Sequence, residues 1–289
     1  MTSFDPTEFT GRRRLAQNLL GRCLRRQSIL LYGGPKLGKT SMLLHLKWLI
    51  EQVCKTSSAT PAALYLDLSD GATHEGLLLK RWASPASILL LDNCDSLIKD
   101  DLINKLYEVI KSARSVHAVV WAGERAWHDF AWDHKWILDL RPVPLAVLLQ
   151  GEASELVKPG LTPNQTIAAL SVGGTHPYVL KLLAHYMLSL QGDPMSAIPI
   201  AREHLLPFFQ ACRQAIRPGT EEALLKYLIE EARPVNPREA AGAIGVPTIK
   251  SVADTLCWIG LICRWNLNEG AMLQANCRIF NAWYLATVH

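Results

Sequence analysis

The chain has 289 residues, 49% of them hydrophobic and 19% charged, which is enough apolar material for about two domains and too much for a disordered chain. Its formal net charge of +4 is mildly basic and too weak on its own to mark a nucleic-acid binder. The apolar runs are strand-sized, far below the ~20 residues of a membrane span, and seven cysteines without a Cys-x-x-Cys pair argue against a disulfide framework or a thiolate zinc site.

The first ten residues read as an arm with no apolar core after a basic start, so no secretory leader and a cytoplasmic location are expected. A basic helix is predicted over 11–27, with Leu15, Leu19 and Leu20 on one face. The apolar run Ile29-Leu30-Leu31-Tyr32 then stops at Gly33-Gly34-Pro35, and a helix is predicted from Lys39 through Met42, Leu43, Leu46 and Ile50. Ala62–Leu68, Ile88–Leu91 and Val116–Trp121 read as buried strands, with a helix over Asp100–Ser112. Strands alternating with helices predict a parallel sheet covered on both faces.

After Arg141-Pro142-Val143-Pro144 the strand signals cease, and helices are predicted over Leu145–Val157, Pro163–Ser171, Pro177–Leu190 and Ile198–Ile216. Arg217-Pro218-Gly219-Thr220 stops and restarts the chain. Helices over Glu221–Ala232, Pro237–Ile244 and Thr248–Ile259 follow, then a hairpin of Leu261–Asn266 with Ala271–Gln274. The fold class expected is α/β: a P-loop NTPase parallel sheet, then an all-helical domain, then a C-terminal winged helix-turn-helix. The domain limits expected are 1–142, 143–217 and 218–289.

Gly33-Gly34-Pro35-Lys36-Leu37-Gly38-Lys39-Thr40 satisfies G-x-x-x-x-G-K-[ST] without a gap, after an apolar strand and at the opening of a helix. Glycines there let backbone N–H groups close around phosphate oxygens, and the helix start adds positive potential. Lys39 is expected to reach the β- and γ-phosphates, Thr40 to ligate Mg²⁺, and Ser41 to touch the α-phosphate. A chance turn does not require that strand–loop–helix setting, so the segment reads as a nucleoside triphosphate site.

Such a site needs an acid at the end of a second buried strand. Ile88-Leu89-Leu90-Leu91-Asp92 supplies it, with Asp92 placed to hold Mg²⁺ through water. The next residue is commonly the glutamate that deprotonates the attacking water, but here it is Asn93, and an amide is no base. Asp95 is the nearest carboxylate that can replace it, although a purely structural role for Asp95 stays open. Arg125, just after the strand Val116–Trp121, is a candidate γ-phosphate sensor, set against the more ordinary reading of a surface arginine. Trp121, Trp127, Trp132 and Trp136, interleaved with His128 and His134, meet no metal-ligand spacing and read as packing residues.

With these elements in order the chain resembles the STAND branch of the AAA+-like P-loop ATPases, over nearly its whole length. Phe9-Thr10-Gly11-Arg12 is similar to the F-x-G-R segment that cradles the nucleotide base, although Arg13 follows where the family usually carries an acid. Leu91-Asp92-Asn93-Cys94-Asp95 is similar to the D-x-x-D arrangement in which the second acid supports catalysis. Gly173-Gly174-Thr175-His176-Pro177 resembles the helical-domain G-x-P motif, which implies that Pro177 packs on adenine. The resemblance implies ATP/ADP with Mg²⁺ as cofactors, a closed ADP state, and opening with oligomerisation on exchange for ATP. Family members normally carry an effector domain before and sensor repeats after this module, so the effector or sensor is expected to be a separate protein partner.

The leading expectation is therefore a regulatory switch with weak hydrolysis, forming homo- or hetero-oligomers and having no membrane partner. The alternatives are a DNA-associated ATPase of the origin-recognition or transposition type, and a non-hydrolysing nucleotide-binding scaffold. For nucleic acid, the predicted recognition helix Thr248–Ile259 offers only Lys250, which counts against sequence reading. Arg12, Arg13, Arg14, Arg22, Arg25 and Arg26 remain able to meet a phosphate backbone.

Overall fold

The computed structural model of the protein describes residues 9–56, 61–69, 87–100, 102–112, 116–133, 139–190, 194–267 and 270–288. The chain divides into two compact units, Met1–Gly33 with Gly38–Leu145, and Gly34–Leu37 with Ala146–His289.

The first unit is built on β1 (Ile29–Tyr32), β2 (Ala62–Asp67), β3 (Ser87–Asp92), β4 (Val116–Gly123) and β5 (Arg141–Pro144). These strands form one sheet in the order β2-β3-β4-β1-β5, with each neighbouring pair parallel. All four residues of β1 are buried, as a central strand covered on both faces requires. The helices of this unit are α1 (Arg13–Leu24), α2 (Lys39–Thr56), α3 (Leu102–Ser112) and α4 (Arg125–Asp133), with a 3₁₀ turn over Cys94–Asp100. In α1, Ala16, Leu19, Leu20 and Cys23 are buried, while Arg13, Arg14, Arg25 and Arg26 are exposed on and just beyond it.

The fifth strand, over Arg141–Pro144, is one that the sequence reading did not assign. Two prolines argue against a central strand, but an edge strand tolerates them because one side of its ladder faces away from the sheet. Here the inner donors survive, and Arg141 N–H donates to Ser28 O at 3.0 Å.

The second unit is helical, with α5 (Gln150–Val157), α6 (Pro163–Gly173), α7 (Pro177–Leu190), α8 (Pro194–Gln214), α9 (Thr220–Glu231), α10 (Pro237–Ala243) and α11 (Lys250–Ile259). An antiparallel hairpin of β6 (Ile262–Leu267) and β7 (Gly270–Ala275) follows, then α12 (Arg278–Val288). The helix predicted from Ile198 begins earlier, at Pro194, and runs through Pro199 and Pro207. One buried apolar cluster extends from Leu148 to Tyr284, so 143–217 and 218–289 share a core. Its aromatic centre is Phe209, whose ring lies 5.4 Å from those of Phe280 and Trp283. No described helix is long and apolar enough to cross a membrane.

Candidate nucleotide site

The predicted phosphate loop joins β1 to α2. Gly33 N–H donates to Gly123 O at 3.3 Å, which anchors the start of the loop on the neighbouring strand β4. Lys39 folds back and donates to Gly33 O at 3.1 Å, closing the loop on itself. Gly38 has φ +92°, a conformation that side chains resist, and its carbonyl accepts the N–H of Met42 at 2.9 Å to start the helix. Thr40 is exposed and Ser41 half-buried at that helix start. Gly11 is buried and Arg12 is half-buried, with Arg12 Nη1 3.4 Å from where a Cβ on Gly38 would stand. The first arginine of the predicted base-binding segment therefore lies beside the loop.

Within the second unit, Gly34 donates its N–H to Trp258 O at 2.7 Å, and the Ile259 backbone fills the space a Cβ would need. Pro35 and Leu37 are buried, and the exposed Lys36 holds its ammonium 5.9 Å from the centre of the Tyr178 ring. Pro177 opens α7, next to buried Thr175 and His176. Asn276 clips this segment: its Oδ1 accepts the Thr175 N–H and hydroxyl, both at 3.0 Å, and its Nδ2 donates to Gly260 O at 3.1 Å. Gly174 has φ +61° and lies against the Asn276 backbone, so no side chain fits there.

The acidic half of the site stands at the ends of β2, β3 and β4. Asp92 is fully buried, its Oδ2 accepting the Tyr65 hydroxyl at 2.9 Å and its Oδ1 the Asn93 N–H at 3.0 Å. Burial, and then the Asp92 charge, push the Tyr65 hydroxyl far above its ordinary range, so Tyr65 remains a donor. Asn93 takes a left-handed φ of +57°, and its amide donates to Asp67 Oδ1 at 2.8 Å. Burial works against ionised Asp67, but the hydrogen bonds from Asn93 and Ser69 outweigh it and hold that carboxyl below its ordinary value. The register sets Asp67 opposite Asp92 on the neighbouring strand.

Asp95 faces β4 and α4. Its Oδ2 accepts the Glu124 N–H at 2.7 Å and its Oδ1 the Trp127 N–H at 2.8 Å, which satisfies the first donors of α4. Arg125 is the first residue of α4, and its side chain lies outside the described residues, as do the Trp132 side chain, His134 and Trp136. Trp121 and Trp127 are buried and stacked with ring centroids 5.7 Å apart.

Lys39 feels the charges of Glu124, Asp95 and Asp92, and its Nζ lies 3.6 Å from Glu124 Oε1. Burial lowers the Lys39 ammonium below its ordinary range, while the charges of Glu124, Asp95 and Asp92 oppose that shift. A desolvated cation at the mouth of a glycine loop favours an incoming polyphosphate. Among the described residues no group of three or more His, Cys, Asp or Glu is placed to hold a metal ion. Mg²⁺ does not require such a group, since it keeps several waters and binds through one or two protein oxygens plus substrate phosphates. Thr40 and Asp92 are the side chains that the sequence puts forward for it. Tyr65, Asp67, Glu124 and Asn276 were not candidates from sequence, because each acts through a partner distant in the chain.

No family model matches the chain, and no curated protein sequence matches it. Solved structures do. The chain is similar to the Walker-type ATPase paby2304 of Pyrococcus abyssi, with 13% identity, a TM-score of 0.59, and 98% of this chain and 97% of that one covered. It is similar to the Aeropyrum pernix ORC1 protein in complex with DNA, with 12% identity, a TM-score of 0.53, and 96% and 93% covered. The replication initiator DnaA, bound to AMPPCP and single-stranded DNA, matches with 14% identity, a TM-score of 0.50, and 89% and 91% covered. The fold is the α/β fold of the P-loop NTPases, a parallel sheet with a helical C-terminal region.

Proposed function

We propose that this chain is an ATP-binding AAA+-like ATPase whose nucleotide state governs its association with DNA. The observation that carries the nucleotide half is that buried Lys39, at the start of α2, lies within reach of the charge of buried Asp92, at the end of β3. Thr40 and Asp92 would hold Mg²⁺, the loop backbone and Lys39 the phosphates, and Arg12 the base side. Hydrolysis would be slow, because Asn93 is tied to Asp67 and Asp95 to α4.

The DNA half is supported by two basic surfaces and by fold neighbours solved with DNA. A cleft of about 520 Å³ lies among α10, α11 and the hairpin, lined by Arg238, Lys250 and Arg264. It falls within the segment that the sequence reads as a winged helix-turn-helix. Arg264 is paired with Asp254 at 2.8 Å, which leaves Arg238 and Lys250 for phosphates. The exposed arginines on and beside α1 form the second surface, in a helix with no acid in its first turn.

A STAND-type switch acting on protein partners is the second reading, favoured by Asn93 standing where the usual base would be, its amide donating to Asp67. Duplex binding by fluorescence anisotropy, with ATP and with ADP at rising salt, separates the two. ATP-dependent retention that weakens steeply with salt is expected of the DNA reading. No retention at low salt, with a change in assembly size on ATP, would replace it by the switch.

A further inference from the structure

We infer that Glu124 competes with the terminal phosphate of the nucleotide for Lys39, and that Asp95 positions it to do so. This rests on the reading of Gly33–Thr40 as a phosphate loop. The Lys39 ammonium is buried, and a buried cation needs a compensating charge whether or not nucleotide is present. Glu124 supplies one, with Oε1 3.6 Å from Nζ. Its own side chain is about half-exposed, whereas the lysine it faces is buried.

Among the described residues the charges of Glu124, Asp95 and Asp92 act on Lys39. Asp92 accepts from the Tyr65 hydroxyl and the Asn93 backbone. Asp95 spends one oxygen on the Glu124 N–H and the other on the Trp127 N–H. Asp95 thus fixes the backbone that carries Glu124, at the point where β4 turns into α4. The γ-phosphate of a bound triphosphate would take the ammonium over, and Glu124 would have to yield. Nucleotide affinity is therefore set below what the loop alone would give, and the acid at the second position of D-x-x-D acts as a positioning residue.

The experiment is calorimetric titration of the full chain with ATP and Mg²⁺, wild type against Glu124→Gln. It is accompanied by thermal unfolding of Lys39→Met, Glu124→Gln and the double variant without nucleotide. Expected are an ATP Kd about tenfold tighter in Glu124→Gln, which is about 1.4 kcal/mol, and single-variant stability losses that fail to add in the double variant. Asp95→Asn should tighten ATP by a smaller factor by loosening the same contact. An ATP Kd within twofold of wild type in Glu124→Gln, or additive losses, would overturn the inference and leave the phosphate loop standing. A wild type with no ATP binding would instead remove the phosphate-loop reading itself, and the inference with it.

Discussion

The nucleotide site of the first unit and the basic cleft of the second place charge in opposite ways. At the site, Lys39 and Asp92 are buried, and each is compensated by groups from other strands. In the cleft, Arg238 and Lys250 line an open surface formed by short helices and a hairpin. Buried charge is costly unless its partners are in place, so the first region is organised before any ligand arrives. Exposed charge is screened by salt and acts at longer range, so the second region attracts without fixing geometry. On the proposed function, specific chemistry belongs to the first and general attachment to the second.

That contrast can be broken at several points. Lys39→Ala should weaken ATP by about a hundredfold or more, since it removes a desolvated cation from the phosphates, and should leave duplex binding without nucleotide unchanged. Gly174→Ala should cost about 1–3 kcal/mol of stability, because φ is +61° and the Asn276 backbone fills the space. Urea unfolding checks this, and a loss confined to the first unit would count against it. Arg238→Ala with Lys250→Ala should make the salt slope of duplex binding shallower by about one unit per cation removed, with the ATP Kd unaltered. An unchanged slope would move the DNA surface to the α1 arginines. Asp95→Asn should give the smallest effect, an ATP Kd tightened by less than in Glu124→Gln because only the Glu124 backbone is loosened, read by the same calorimetric titration.

What could be read from the sequence was contiguous. Gly33–Thr40 announces itself because its glycines, lysine and threonine act within one turn of chain. Asp92 could be placed because it ends an unbroken buried run, Ile88–Leu91. The Asn93–Asp67 bond joins residues 26 apart, and Thr175–Asn276 joins residues 101 apart. Sheet register and helix packing decide such pairs, and no local pattern encodes them. Glu124 was hidden for the same reason: only the parallel pairing of β1 with β4 brings it to the loop. The strand β5 was obscured by its own prolines, which local propensity counts against any strand and edge geometry permits.

The central claim is that buried Lys39 makes Gly33–Thr40 a working triphosphate site. Calorimetric titration of wild type and Lys39→Ala with ATP and Mg²⁺ tests it most directly. One ATP per chain in the wild type, with affinity lost in Lys39→Ala, is the predicted result. Equal affinity in both proteins, or no binding in either, would contradict it.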